Sequence, residues 1–269
     1  LFSCALSAEV KDVEGTPANP VGQLGRVLSL SPATTEIMFH IGAQVQLVGR
    51  TDRCNFPKTA QNIPSIGSLF PPNLEMIIRS KPDLVLMASG NLQLKEKLRS
   101  MKISVFVTQP KTIRGIADNI RAIGALTDRS AIADEKAKLF EQKIHQIQTL
   151  SAEKKLRVYW EIWPQPMMTI GGSSFIHDLI TVAGGINIFK DQTSPWPTVS
   201  AEAVIRRRPN VVVTVDREGF LNKRKHWLKL LGIAADRVIH IEDPDILHRP
   251  SPRVLEGLDW LHTVLSRPK

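Results

Sequence analysis

Four aromatic side chains stand in segments that read as loops at strand ends: Phe56 in Arg53-Cys54-Asn55-Phe56-Pro57, Phe70 in Leu69-Phe70-Pro71-Pro72, Trp163 before Pro164, and Trp196 in Pro195-Trp196-Pro197. Aromatics held by neighbouring prolines in exposed segments make rigid apolar platforms for a ligand. Asp245, His248 and Arg249, in another proline-flanked segment, supply donors and acceptors for a ligand's polar rim. Packing of each aromatic over its own loop is the plainer alternative. Cys54 and His248 carry a thiol and an imidazole, side chains able to approach a metal centre if the ligand brings one. A buried thiol and a surface imidazole are the competing expectations for them.

Enzymatic constellations are missing. The chain has no G-x-S-x-G, Walker loop, G-x-G-x-x-G or H-E-x-x-H, and its seven histidines are scattered. Gly171-Gly172-Ser173-Ser174 and Gly184-Gly185 lack the following Lys-Ser/Thr of a phosphate loop and read as turns. A non-catalytic binding protein without cofactor or resident metal is therefore expected, and an enzyme is the disfavoured alternative of a different class. The two cysteines, Cys4 and Cys54, lack zinc-site spacing. Leu1-Phe2-Ser3-Cys4 reads either as the tail of a signal whose cysteine is lipidated or as an incidental remnant.

Lys+Arg 35 against Asp+Glu 26 gives a formal charge of +9, which raises nucleic acid, an anionic surface or an acidic ligand as partners. Lys223-Arg224-Lys225-His226 and Arg206-Arg207-Arg208 are dense in charge, yet no nucleic-acid-binding signature accompanies them. Arg206 to Arg208 fit a helix C-terminus, where cations suit the dipole.

The elements that must position these residues follow from hydrophobic pattern. With 42% hydrophobic and 23% charged residues the 269-residue chain has an ordinary globular composition, and no unbroken apolar run approaches the ~18 residues that cross a bilayer. Short β-type runs at 26–30, 46–48, 84–87, 103–107, 156–160, 211–215 and 238–241 alternate with helix-like or turn-rich stretches, which favours parallel α/β structure. Ser31 suits the cap of the first helix and Pro32 its first position. Residues 130–154 contain neither Gly nor Pro and space Ile132, Phe140, Ile144 and Ile147 along one helical face. Leu74 to Leu86 aligns without gaps with Ala201 to Val213, each a helix, a basic end, a proline break and a buried strand. This internal duplication predicts two like lobes. The expected order is an N-terminal tether 1–25, an α/β lobe 26–127, a bridging helix 128–154 and a second lobe 155–269. The fold expected is two Rossmann-like α/β lobes bridged by a single long α-helix, with a largely preformed ligand cleft between the lobes.

Several segments together resemble the periplasmic cobalamin-binding proteins of vitamin B12 ABC importers, within the class that includes siderophore- and haem-binding proteins. They are Arg26 to Glu36, Asn73-Leu74-Glu75, Lys81 to Val85, Ala183 to Phe189, Pro195 to Glu202, and Ser251-Pro252-Arg253. The match spans Arg26 to Leu265.

The resemblance implies capture of cobalamin or a related corrinoid for delivery to a dimeric ABC permease in the cytoplasmic membrane. It implies a monomeric, extracytoplasmic protein that binds no nucleic acid and is lipid-anchored if Cys4 is acylated. Trp196 carries over as a cleft-lining aromatic, and Asp245 and Arg249 as ligand contacts. Arg53 stands where the family has a tyrosine, and Leu69, beside Phe70, where it has a tryptophan. The lobe-two cysteine pair of the family is absent, with Ala183 at one position. Glu75 and Glu202 match the family's two permease-docking glutamates. A ferric siderophore or haem is the alternative ligand, which Arg53, Arg249 and the basic balance would suit.

Overall fold

Short runs of Val, Leu and Ile flanked by Pro, Gly and Asp become the strands of two main sheets, one parallel and one mixed. The computed structural model describes residues 10–22, 25–68, 70–150 and 155–266. Expectations on Cys4, Leu69 and residues 151–154 lie outside the described residues. The chain divides into two compact units. One runs to Pro110 and resumes over Gly115–Phe140; the other comprises Lys111–Arg114 and everything from Glu141.

The first unit begins with a small antiparallel hairpin, β1 (Val10–Lys11) and β2 (Pro17–Ala18). These residues were expected in a flexible tether, and the hairpin is instead docked. Asp12, 5% exposed, accepts from Arg99 at 2.8 Å, Lys95 pairs with Glu14, and Val13 N donates to Val107 O at 3.2 Å. Then follow β3 (Val27–Ser29), α1 (Pro32–His40), β4 (Leu47–Arg50), α2 (Leu74–Arg79), β5 (Leu84–Ala88), α3 (Leu92–Ser100), β6 (Ser104–Thr108) and α4 (Arg114–Leu126). The sheet is parallel in the order β4-β3-β5-β6, and Leu28, Leu30, Ile77, Val85, Val105 and Val107 lie in its core. Ser31 holds the cap position of α1, but it acts through its carbonyl, which accepts from Thr34 Oγ1 and Thr35 N, and not through its side chain.

The long helix α5 (Ser130–Leu150) carries the chain from the first unit into the second and is about 31 Å long. Its buried stripe is Ala133, Ala137, Phe140, Ile144 and Ile147, spaced for one face. Ile132, expected on that face, is 43% exposed. The stripe is shifted because Gly124 of α4 admits Ala133 closely: a Cβ on Gly124 would lie 2.2 Å from that of Ala133.

The second unit contains β7 (Leu156–Pro164), β8 (Met167–Thr169), α6 (Phe175–Val182), β9 (Gly185–Asn187), α7 (Ala201–Arg206), β10 (Val211–Thr214), α8 (Arg217–Leu231), β11 (Val238–His240), α9 (Asp245–His248) and α10 (Val254–Leu265). β7 pairs parallel with β9 and β10, and β10 with β11, while β8 turns back antiparallel on the far end of β7. Tyr159, Phe189, Val204, Val212, Phe220 and Trp227 pack together on one side of the sheet. No helix among the described residues is long and apolar enough to cross a membrane.

Candidate functional site

In open α/β sheets ligands bind at the carboxyl ends of the strands. Phe56, Phe70 and Trp196 stand on loops, in each unit separately; Trp163, expected on a loop, is instead a strand residue near the end of β7, because pairing with β8 carries the strand past it.

In the second unit Trp196 is 41% exposed and its backbone is clamped from both sides. Pro195 O accepts from Gly171 N and Pro197 O from Thr169 N, both at 3.0 Å, and Thr198 bridges Met168. Residues 195–199 thus lie as an added strand-like segment along β8. Gly171 is required for this fit, since a Cβ there would stand 1.8 Å from Ser194 O. Trp163, 56% exposed, projects from the end of β7, pairs across to Met168, and donates its indole N–H to Gln165 O at 2.9 Å. The two tryptophans therefore sit on adjacent elements bridged by β8.

After β11, Asp245 and Arg249 form an ion pair of 2.5 Å across α9. Expected separately as rim contacts, they hold each other, with the carboxylate the more exposed partner. His248 was expected at the surface or near a ligand metal. It packs instead against fully buried Trp160, ring centroids 6.2 Å apart, and burial lowers its pKa while Asp245 opposes the shift.

In the first unit Arg53 and Phe56 are exposed on the loop after β4, and Phe70 is 66% exposed. Phe70 lines a recess of about 620 Å³ with Leu74, Leu92, Leu94 and Lys97. Cys54 is fully buried, its thiol bonded with Thr51 Oγ1 at 3.2 Å. It is thus the buried thiol of the plainer expectation and is not available to approach a metal. Among the described residues no cluster of three His, Cys, Asp or Glu could hold a metal ion.

Glu75 and Glu202 are both exposed in the first turns of α2 and α7. Their helices are capped alike: Asn73 accepts from Met76 N and Ser200 from Ala203 N. A bond from its own backbone N–H, helped by one from the Ser200 hydroxyl, lowers the Glu202 pKa. Of the basic runs, Arg207 is committed to Asp191 through two bonds and lies 4.5 Å over Phe189. Arg224 is buried.

Sequence reasoning missed the partner of Arg224, which is Glu161 of β7. A lone acid inside the apolar run Val158 to Trp163 and an arginine between Phe220 and Trp227 were the available signals.

The periplasmic binding protein family model matches residues 27–240. The chain belongs to the periplasmic binding protein family. A vitamin B12-binding protein of Salmonella typhi is 33% identical over 246 residues, covering 90% of each chain. The solved periplasmic vitamin B12-binding protein of Vibrio cholerae superposes with a TM-score of 0.80 at 27% identity, over 91% of this chain and 97% of that one. A solved "possible" iron-binding periplasmic solute-binding protein of Staphylococcus epidermidis gives a TM-score of 0.79 at 26% identity, over 91% and 100%. These relatives are binding proteins and not enzymes, in agreement with the expectation for this periplasmic binding protein.

Proposed function

We propose that this protein is the substrate-binding component of an ABC importer, capturing cobalamin or a related corrinoid and delivering it to a dimeric membrane permease. The observation that carries the proposal is the presentation of Trp196, exposed yet held between two prolines on backbone bonded to Gly171 and Thr169. A corrin has apolar faces and an amide-rich rim, so it requires flat aromatic surfaces and side-chain hydrogen bonds at its edge. Within the second unit, Trp196 and Trp163 offer the first and the Asp245–Arg249 pair the second; Phe56 and Phe70 are the aromatic candidates of the first unit. The named ligand of the relatives supports the same choice. A ferric siderophore or haem is the second reading, favoured by exposed Arg53 and by the iron-binding description of one similar structure.

Glu75 and Glu202, exposed at matching positions of a duplicated segment, are the docking residues of this proposal. A two-fold symmetric partner would grip each with one basic pocket per subunit. The protein acts as a monomer, and acylation of Cys4 would tether it to the membrane. Titration of tryptophan fluorescence with cyanocobalamin, haemin and a ferric siderophore tests the ligand. Saturable quenching by the corrinoid at the lowest concentration is expected; preferential quenching by either iron ligand would replace the first reading with the second.

A further inference from the structure

β7 places Glu161, 2% exposed, in the middle of an otherwise apolar and aromatic stretch. A carboxylate so placed costs several kcal/mol unless it is paired and hydrogen-bonded. Arg224 is the pairing group, itself 8% exposed, and it is the one residue at which α8 leaves helical geometry (φ −125°, ψ 23°). Its guanidinium lies 5.2 Å over Phe220 and 5.0 Å over Trp227, and its second nitrogen donates to Pro164 O at 3.2 Å. Glu161 and Pro164 bracket Trp163. Between Glu161 and Trp163 the β7–β8 register shifts, so the ladder is interrupted at the point where the guanidinium grips the strand on both sides of the indole.

We propose that Arg224 and Glu161 are positioning residues that fix the Trp163 indole, and through β8 the Trp196 segment, for ligand contact without touching the ligand themselves. This rests on the ligand-binding function proposed above. A structural role alone does not require ions here, because well-packed apolar side chains replace buried ion pairs at little or no loss of stability. What apolar side chains cannot supply is a two-point hold on the Pro164 carbonyl and Glu161.

The test uses the full chain with Glu161→Gln, Arg224→Lys and the double variant Glu161→Met/Arg224→Met. Three quantities are read: the urea midpoint, the affinity for cyanocobalamin, and the indole N–H resonance of Trp163, assigned from its loss in Trp163→Phe. The double variant is expected to keep the parent's midpoint, to shift or broaden the Trp163 resonance while Trp260 on α10 stays in place, and to bind about tenfold more weakly. Arg224→Lys, which keeps the charge but loses the forked geometry, should show the same indole change. Parent-like indole position in the double variant overturns the proposal, as does parent-like affinity of that variant where the parent binds. If the double variant does not fold, Glu161→Gln, which preserves shape, decides by the same resonance. A parent that binds no corrinoid would refute the ligand proposal, while the indole resonance would still decide this one.

Discussion

Arg26 and Arg157 make the same hydrogen bonds in the two units. Arg26 N donates to Asp83 Oδ2 at 2.8 Å and its guanidinium to the carbonyls of Ser80 and Lys81; Arg157 N donates to Asn210 Oδ1 at 3.0 Å and its guanidinium to those of Arg207 and Arg208. The first residue beyond each helix cap is left-handed, Lys81 at φ 45° and Arg208 at φ 43°. Helix cap, left-handed exit and arginine clasp recur together, so the duplication read from sequence extends to individual bonds.

A side chain with a Cβ in the left-handed region costs about 1 to 2 kcal/mol, part of which glycine returns as unfolded-chain entropy. Lys81→Gly and Arg208→Gly should therefore each stabilise by about 0.5 kcal/mol in urea unfolding. A loss of stability in both would show that the exits are not strained.

Gly171→Ala would drive a methyl group into Ser194 O and displace the Trp196 segment. Corrinoid affinity should fall at least as far as in Trp196→Ala, by roughly tenfold to a hundredfold. Parent-like affinity in Gly171→Ala would separate Trp196 from the backbone that carries it.

Asp12 Oδ1 accepts from Glu14 N and Thr16 N while Oδ2 accepts from Arg99, so one buried carboxylate orders the amino-terminal hairpin. Asp12→Ala should lose about 2 to 3 kcal/mol and expose the hairpin to protease, with Asp12→Asn intermediate because its amide oxygen can keep the backbone bonds. Equal stability of all three proteins would contradict this.

Burial lowers the pKa of His248, and of His40 and His177. Such groups are neutral in the fold and take up protons more readily when unfolded. Their contribution is fully present above the ordinary histidine pKa of about 6.5 and is lost as pH falls through the folded values. Unfolding free energy should accordingly decline from pH 7 to pH 5.5, and His248→Gln should flatten the decline. An unchanged slope would remove His248 from it.

The strands were legible where β-branched and leucine runs met turn residues, as at Leu84–Ala88 and Val211–Thr214. β8 and β9 were not, because Met167–Thr169 and Gly185–Asn187 are short and take their conformation from pairing with β7. Trp196 was legible through its flanking prolines, which act locally. Glu161–Arg224 was not, because its partners lie 63 positions apart and only the fold brings them together.

Charge reversal of Glu75 and Glu202 should abolish binding to permease-containing vesicles and leave corrinoid affinity unchanged, since both side chains are exposed in the first turns of their helices. A double variant that docks normally, or loses ligand first, would overturn the docking assignment.

The most direct measurement incubates the purified protein separately with cyanocobalamin, haemin and a ferric siderophore, removes free ligand by desalting, and records the visible spectrum. One corrinoid retained per chain is expected, with no stoichiometric retention of either iron ligand. A spectrum showing retained iron ligand and no corrinoid would contradict it.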